Sequence, residues 1–500
     1  LLMPDRFANG DRGNDEPPRS PGLLDRARPR YYHGGDLRGV MERLPYLADL
    51  GVTALWLNPV YDNVDHLNER QKHDGQPITD YHGYGAMDLY AVDERLGEVA
   101  GLRALVDAAH GHGIKVIQDQ VANHVGPYHP WSDDPPTPTW LNGTRQRHLV
   151  NRWQTWTLMD PNATPALRRE TLEGWFVDVL PDLNQDDPEV ARYLIQNSLW
   201  WVGVTGLDGI RQDTLPYVPR AYWRDWMAAL KREYPRLTVV GELFDGNPAL
   251  VSFFQGGARR FDGIDTGIDA LFDFPLYYAV RRVFAGGGPA RDLAVALGHD
   301  HLYPRPDRLV TFLGLHDVAR FMNERGATAA GLRHAFTFLF TTRGIPLVYY
   351  GDEIGLPGGE DPDNRRDFPG GFPGDARDAF AASGRTPEEE AVFAHVRALA
   401  RLRREQPALR RGSLIHLLAD EKAYAYARVH EGRAVVVAFN MSAEALAADV
   451  PAGPAALAAG VTLRDALGAG GAAAVEPAAG GARLRLQLRP RSAAVFVAEP

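Results

Sequence analysis

The chain contains no cysteine, and this absence removes several chemistries from consideration. Disulfides, thiolate nucleophiles and zinc–thiolate centres all require that side chain. The absence does not fix a compartment, because cytosolic and exported proteins can both lack cysteine. No signal peptide is visible either, so the sequence leaves the localisation open.

Long apolar runs and basic patches are also missing. No stretch approaches the roughly 18 uninterrupted apolar residues that indicate a membrane span. The net charge of -10 is spread through the chain. Acidic charge without a basic patch argues against binding to nucleic acid. We therefore expect neither a membrane nor a nucleic acid as a partner.

What the chain does have is length and a repeated strand-and-helix order. Its 500 residues allow a large α/β domain with one or two additions. Apolar strands are predicted at "GVTALWLNPV" (51–60), "GIKVIQDQVANH" (113–124), "LDGIRQD" (207–213), "LTVVGELF" (237–244), "LVTFLGLHD" (309–317) and "GIPLVYYGDE" (344–353). Continuous apolar strands that alternate with helices indicate a parallel sheet covered on both faces. We predict a (β/α)8 TIM barrel. An open doubly wound sheet is the alternative, weakened because no Gly-rich phosphate motif follows the first strand.

Two stretches depart from this order. Residues 125–190 are rich in Pro, Trp and Asp, which predicts a loop domain inserted after strand 3 of the barrel. Residues 412–500 predict a C-terminal antiparallel β-sandwich domain, within which we expect the Ala/Gly-rich segment 455–482 to form loops. The barrel would then comprise residues 1–124 and 191–411.

Polar residues gather at the ends of the predicted strands, where a barrel has its active site. They are Asp119, Asn123, His124, Arg211, Asp213, Glu242, His316 and Asp317. Hydrolysis of a glycosidic bond needs one carboxylic acid to protonate the leaving oxygen and a second carboxylate at the anomeric carbon. Arg211 and Asp213 are two residues apart and would point to the same side of a strand, where the arginine keeps the carboxylate ionised. A structural ion pair is the alternative for these two residues alone, but the whole set favours a glycosidase-like site.

The blocks "DQVANH", "GLDGIRQD", "GELF" and "GLHD" resemble, in this order, the four signature blocks of the α-amylase family, family 13 of the glycoside hydrolases. The resemblance implies a retaining α-glucan hydrolase with Asp213 as nucleophile, Glu242 as general acid/base and Asp317 as transition-state stabiliser. It also implies that five further residues bind the sugar: His82, Tyr84, His124, Arg211 and His316. Asp119 would be a structural carboxylate that orients Arg211.

The stretch "NGDRGND" (9–15) predicts a second kind of site. Its oxygen-bearing side chains surround a tight turn, which suits a hard cation such as calcium, although an Asx-rich turn without an ion is the alternative. Together with "GGDLRGV" it resembles the calcium loop of the cyclomaltodextrinase and neopullulanase branch. That resemblance implies calcium ligands at Asn9, Asp11, Asn14, Asp15, Gly34 and Asp36.

The expected substrates are α-glucan oligosaccharides, cyclodextrins, pullulan or starch. Several alternatives remain open. "LPDLN" (180–184) resembles the form found in oligo-1,6-glucosidases, so an exo-acting α-glucosidase is one alternative and a glucan transglycosylase another. A non-catalytic binding relative is a third, which the presence of Asp213, Glu242 and Asp317 argues against. Pro216 and Tyr217 stand where many family members carry a Lys-His pair. The sequence leaves open whether the chain is a monomer or a homodimer.

Overall fold

The computed structural model describes residues 1–468, 471–479 and 481–498. The chain divides into two compact units: Leu1–Phe272 with Asp361–Arg385, and Asp273–Glu360 with the residues from Thr386 onward. These limits differ from those of the predicted barrel, inserted domain and C-terminal domain, so those three boundaries stay a prediction.

The first unit contains strands β1–β11 and helices α1–α8. In chain order the strands are Ala54–Leu57, Tyr61–Asp62, Asn68–His73, Gln76–Ile78, Asp88–Val92, Lys115–Gln120, Leu149–Val150, Gly174–Trp175, Gly209–Gln212, Thr238–Gly241 and Ala270–Phe272. The helices are Pro4–Phe7, Leu37–Glu42, Leu44–Leu50, Val99–Gly111, Pro165–Leu172, Pro188–Thr205, Arg220–Glu233 and Pro248–Phe254.

Five of these strands form a parallel sheet in the order β1, β6, β9, β10, β11. Asp119 on β6 is in register with Arg211 on β9, which is in register with Val240 on β10. Because the carboxyl ends of parallel strands meet at one edge, this register brings together the polar residues that follow β6, β9 and β10.

The helices between the strands begin and end at residues that cap them. In α6, the Asp187 side chain accepts a hydrogen bond from the N–H of Glu189, and Gly206 ends the helix with a φ of 76°.

The second unit contains strands β12–β21 and helices α9–α13. The strands are Leu309–Phe312, Ile345–Leu347, Ser413–Ala419, Ala423–His430, Arg433–Asn440, Leu446–Pro451, Leu463–Asp465, Ala472–Ala478, Gly481–Leu488 and Ser492–Ala498. The helices are Phe274–Phe284, Arg291–Leu297, Ala329–Thr341, Pro387–Glu405 and Pro407–Arg411. β12 and β13 form a parallel pair.

The parallel strands confirm the predicted (β/α)8-like barrel. All six predicted strands are present, although each is shorter than predicted, and β11 is a seventh that the sequence did not reveal. Within the predicted inserted domain, regular structure is limited to the two-residue strands β7 and β8, helix α5, two short 3-10 turns and the first residues of α6. No helix in the described ranges is both long and apolar enough to cross a bilayer.

The C-terminal strands form an antiparallel β-sandwich, as predicted. One sheet has the order β14-β15-β16-β21-β18 and the other β17-β20-β19. Val436, Leu484 and Phe496, each fully buried, belong to one apolar core made by both sheets.

The expectation that residues 455–482 form loops was wrong. The segment contains β18 and β19, and β19 pairs with β20 so that Val475 lies opposite Leu484. Val475 is buried in the core while its alanine neighbours are small enough to occupy either face. The low sequence complexity therefore concealed a strand whose core-facing residues include Val475 and the smaller Ala473. Residues 469, 470 and 480 lie outside the described residues.

Candidate active site

The first unit brings three of the predicted carboxylates together around one buried guanidinium. Arg211 is 1% exposed. Its Nη1 lies 2.8 Å from Asp119 Oδ1 and 2.7 Å from Asp213 Oδ1, and its Nη2 lies 3.0 Å from Glu242 Oε1. One cation thus contacts the candidate nucleophile, the candidate acid/base and a third carboxylate.

The electrostatics of this group follow from its burial. Burial raises the pKa of Asp119 to about 7, against the opposing effect of the Arg211 charge. Burial alone would lower the pKa of Arg211, but Asp119 and Glu242 raise it well above the usual value. Arg211 therefore stays charged and stabilises negative charge on the carboxylates around it.

The backbone between the two candidate catalytic carboxylates also has a defined geometry. Thr214, directly after Asp213, has a left-handed φ of 48°, which is uncommon for a residue other than glycine. Its backbone N–H donates a hydrogen bond of 3.1 Å to Glu242 Oε2. The strained turn thus supplies a second donor to Glu242, whose other oxygen faces Arg211.

The "YHGY" stretch contributes one wall of the site. The Tyr84 hydroxyl donates a hydrogen bond of 2.8 Å to Asp119 Oδ2, and His124 Nε2 lies 3.2 Å from the Tyr84 carbonyl oxygen. The rings of His82 and Tyr84 are adjacent, with centroids 5.7 Å apart. Gly83 has a φ of 86°, and a Cβ there would lie 2.0 Å from the Pro59 carbonyl oxygen, so only glycine fits.

Two histidines of the site, His82 and His124, are held neutral. Burial lowers the pKa of His82 well below its usual value, and Arg365 and Arg30 act in the same direction. Burial also lowers the pKa of His124, although Asp213 opposes that effect. A neutral imidazole can both donate and accept a hydrogen bond, which suits contact with sugar hydroxyls.

Phe176 is a residue of this wall that the sequence analysis missed. Its ring stacks on His124 with centroids 5.5 Å apart and planes 11° apart, and it also contacts Tyr217 and the exposed Trp153. The residue lies in the irregular stretch 125–190, where no periodic pattern marks which aromatic turns inward. No sequence signal available from a single chain would have found it.

His316 and Asp317 belong to the second unit and follow β12. His316 is 1% exposed, and its Nε2 lies 3.2 Å from Asp317 Oδ2. The pair is therefore at a strand end, as the sequence predicts. Its participation in the same site as Asp213 stays a prediction.

The predicted cation loop has two buried oxygen atoms without partners. Asn9 Oδ1 and Asn14 Oδ1 have no hydrogen-bond partner among the described residues. Asn9 Nδ2 donates to Asp15 Oδ1 at 2.6 Å, and Asp36 Oδ2 accepts from the backbone N–H groups of Gly10 and Asp11. At Gly34 (φ 89°) a Cβ would lie 2.7 Å from Asp15 Oδ1. Buried amide oxygens without a partner are what a hard cation would satisfy, so the residues fit calcium.

A second acidic group, Asp62 with Asp65 and Glu94, was not anticipated from the sequence. One carboxylate oxygen of each lies within 4.8 Å of the others. Arg19 already binds two of them, with Nε 2.7 Å from Asp65 and Nη2 3.2 Å from Asp62. We therefore interpret this group as an ion-pair network.

A parallel-strand barrel whose strand ends carry buried, arginine-bound carboxylates defines a class of protein, the barrel glycoside hydrolases. Residues 1–412 match the family model described as "Alpha amylase, catalytic domain", and the chain belongs to the α-amylase family. It is a glycoside hydrolase of that family.

Individual relatives agree with this assignment. The chain is 32% identical over 454 residues to neopullulanase 2 of Thermoactinomyces vulgaris, covering 89% of this chain and 69% of that protein. It is 30% identical over 458 residues to a cyclomaltodextrinase of Geobacillus thermopakistaniensis, covering 90% and 69%. It spans only 33% of a β/α-amylase of Paenibacillus polymyxa. Among solved structures, an Anoxybacillus α-amylase superposes with a TM-score of 0.80 at 30% identity, covering 100% of this chain and 97% of the other.

Proposed function

We propose that this chain is a retaining hydrolase that cleaves α-1,4-glucosidic bonds in cyclodextrins, maltooligosaccharides, pullulan or starch. The observation that carries the proposal is the contact of Arg211 with both Asp213 and Glu242. The similarity to a neopullulanase and a cyclomaltodextrinase supports the choice of substrates.

The shared arginine has a mechanistic consequence. In a retaining reaction the first step joins the nucleophile to the anomeric carbon and moves a proton from the acid/base to the leaving oxygen. Asp213 thereby loses its negative charge as Glu242 gains one. Because Arg211 contacts both side chains, the charge stays beside the same cation throughout the step, so little reorganisation is needed. In the second step Glu242 takes a proton from water, and Asp213 leaves as a carboxylate.

The remaining residues have supporting roles in this proposal. Asp317 stabilises the transition state and, with His316, His82 and His124, binds sugar hydroxyls. Tyr84 lines the sugar site. Its hydroxyl bonds to Asp119, which fixes the ring beside Arg211.

We further propose that the opening loop binds one structural calcium ion. Asn9, Asp11, Asn14, Asp15 and Asp36 would supply side-chain oxygens, and Gly34 leaves room for Asp15. The two unpartnered amide oxygens support this assignment. The ion would join the turn that follows α1 to the residues that directly precede α2, and would rigidify the loop.

The test of the catalytic assignment is Glu242→Gln, compared with Glu233→Gln on the exposed end of α7. General acid–base catalysis contributes about 10²–10⁴-fold, so we expect the first variant to lose turnover of maltotriose by at least that factor. The control should retain full activity. Activity of Glu242→Gln equal to that of the wild-type chain would overturn the assignment and leave the non-catalytic alternative.

Proton NMR of β-cyclodextrin during the first minutes of reaction tests substrate and stereochemistry together. Loss of the ring with α-anomeric products appearing first supports a retaining cyclomaltodextrinase. An intact ring beside hydrolysed linear maltooligosaccharides would favour an exo-acting α-glucosidase or an ordinary α-amylase. Products longer than the substrate would indicate transglycosylation.

A further inference from the structure

Asp182, in the "LPDLN" stretch, is a fully buried carboxyl group whose backbone pairs with that of His124 in an isolated antiparallel bridge. Both of its oxygens accept a hydrogen bond from an asparagine amide. Asn123 Nδ2 donates to Oδ1 at 2.8 Å, and Asn142 Nδ2 donates to Oδ2 at 2.9 Å. Burial raises the pKa of Asp182 well above its usual value, and the two amide bonds act against this rise. The carboxyl group thus joins two separate segments of the chain.

The backbone holds both asparagines in place. The Asn142 N–H donates to the Asp182 carbonyl oxygen at 3.0 Å, and the Asn142 carbonyl oxygen accepts from Trp175 Nε1 at 2.8 Å. Trp175 is itself 2% exposed. On the other side, the Leu183 N–H donates to the Asn123 carbonyl oxygen at 2.8 Å. The two side-chain amides therefore meet the Asp182 carboxyl group from fixed positions.

The Asn123 amide connects this group to His124. Its Oδ1 lies 3.1 Å from His124 Nδ1, while its Nδ2 is held by Asp182. In the opposite orientation Asn123 Oδ1 would face the Asp182 oxygen and the Tyr217 carbonyl oxygen, which Nδ2 now faces at 2.8 and 3.4 Å. Asp182 therefore directs the amide so that an acceptor points at His124 Nδ1.

Each ring nitrogen of His124 faces an oxygen atom. Nδ1 faces Asn123 Oδ1, and Nε2 faces the Tyr84 carbonyl oxygen at 3.2 Å. A neutral imidazole carries one proton, so it can donate to only one of these two acceptors. The partner that is held more firmly decides which nitrogen carries the proton. A proton on Nδ1 leaves the lone pair on Nε2.

We propose that Asn142 is a positioning residue for His124. Through Asp182 it holds the Asn123 amide, and the amide keeps the ring proton of His124 on Nδ1. Nε2 is then ready to accept a hydrogen bond from a sugar hydroxyl. The irregular stretch 125–190 would thereby set the hydrogen-bonding state of a histidine in the active site. The consequence for catalysis rests on the proposed function, whereas the effect on the ring does not.

The test is Asn142→Ala, compared with Asn151→Ala. Asn151 is the matched control, because it is a buried asparagine of the same stretch whose Nδ2 donates to the Thr171 carbonyl oxygen at 3.0 Å. In chains labelled with nitrogen-15 histidine, we expect Asn142→Ala to move the NMR signals of the His124 ring nitrogens towards those of a ring protonated on Nε2. Asn151→Ala should leave these signals unchanged, even where it lowers the melting temperature.

Two further variants complete this measurement. His124→Gln identifies the signals of His124 by removing them. Asn142→Leu keeps most of the side-chain volume but has no donor, so it replaces Asn142→Ala if that chain does not fold.

Kinetics test the consequence for catalysis. Misplacement of a group at the site can cost roughly 10²-fold in rate, so we expect Asn142→Ala to lower kcat for maltotriose by about 10- to 100-fold, with little change in KM. In the His124→Gln background the same change should cost little more, because the residue through which Asn142 acts is already lost.

The outcomes separate this inference from the proposed function. His124 signals that are identical in Asn142→Ala and the wild-type chain overturn it, whatever the activity. Equal losses of kcat in the wild-type and His124→Gln backgrounds also overturn it, because Asn142 would then act without His124. A wild-type chain that hydrolyses neither maltotriose nor β-cyclodextrin, but in which the His124 signals move as expected, keeps Asn142 as a positioning residue and overturns the proposed hydrolase.

Discussion

At the scale of single residues, the proposed chemistry depends on the position of Arg211. Asp119 is fully buried and contacts Arg211 Nη1 with both carboxylate oxygens, at 2.8 and 3.0 Å. It also accepts hydrogen bonds from Trp56 Nε1 and the Tyr84 hydroxyl. Asp119 therefore holds Nη1, the same nitrogen that contacts Asp213, and we propose that its role is to position the guanidinium rather than to react.

Asp119→Asn tests this positioning role. The amide keeps the shape but removes the negative charge that Asp119 carries above about pH 7, so at higher pH the guanidinium is expected to move towards the remaining carboxylates. Misplacement of a catalytic group by about 1 Å can cost roughly 10²-fold in rate, and we expect kcat for maltotriose to fall by about that factor. The pH–rate profile should shift as well, because the charge balance around Asp213 and Glu242 changes.

Asp208→Asn is the matched control, since Asp208 is also a paired carboxylate, bound to Lys115 and His110, but at the start of β9. It should leave the pH–rate profile in place. A profile of Asp119→Asn that is superimposable on the wild-type profile would show that Asp119 is only structural.

The sequence alone could predict part of this residue-scale arrangement. The i, i+2 spacing indicated that Arg211 and Asp213 share a side, and they are 2.7 Å apart. The stacking of Phe176 on His124 could not be predicted, because it depends on how an irregular loop folds back. The left-handed φ of Thr214 could not be predicted from the sequence either, since Thr has no preference for that conformation.

At the scale of elements, prediction succeeded where apolar residues run without interruption. The strands β1, β6, β9, β10, β12 and β13 all lie within predicted segments. β11 was missed because its apolar run is only the three residues between Asp269 and Asp273, whereas the equally short β13 lies within the longer apolar stretch 345–350. β19 was missed for a different reason. Most of its residues are alanine, which packs in a strand without producing the alternation of apolar and polar residues that predicts one.

The opening loop is the element for which a ligand-removal experiment is most informative. A calcium ion bound to the proposed site would stabilise the folded chain by about 2.7 kcal/mol at a 100-fold excess over its dissociation constant. We expect EDTA to lower the melting temperature of the wild-type chain and added calcium to restore it. Asn14→Ala removes an oxygen that has no hydrogen-bond partner among the described residues, so it should matter only when calcium is present.

Asn162→Ala, in an exposed turn of the predicted inserted domain, is the control and should respond to calcium as the wild type does. Equal melting temperatures of the wild-type chain in EDTA and in calcium would leave the Asx-rich turn without an ion as the correct interpretation.

At the scale of the whole molecule, buried ionisable groups make stability depend on pH in two opposing ways. Burial raises the pKa of Asp62 and of Asp119 to about 7. Between pH 4 and 7 the folded chain therefore holds protons that the unfolded chain has lost, and this contribution to stability decreases as pH rises. Burial lowers the pKa of His334 and of His395 to about 4. The contribution of these two histidines to stability therefore increases as pH rises.

The histidine contribution can be isolated with His395→Gln. In the unfolded chain a histidine binds a proton below about pH 6.5, whereas folded His395 does so only near pH 4. Stability from this residue is thus complete above pH 6.5 and is lost as pH falls towards 4. Glutamine is neutral throughout and can donate to the Arg333 carbonyl oxygen, as His395 Nε2 does at 3.0 Å.

The melting temperature of the wild-type chain should therefore fall relative to that of His395→Gln as the pH is lowered from 6.5 to 4. The effect of the buried carboxylates cancels in this difference, because both chains contain them. His301→Gln changes an exposed histidine and should give a curve parallel to that of the wild type. Parallel curves for His395→Gln as well would mean that His395 binds its proton in the folded chain as readily as in the unfolded one, through opening of the contact between α11 and α12.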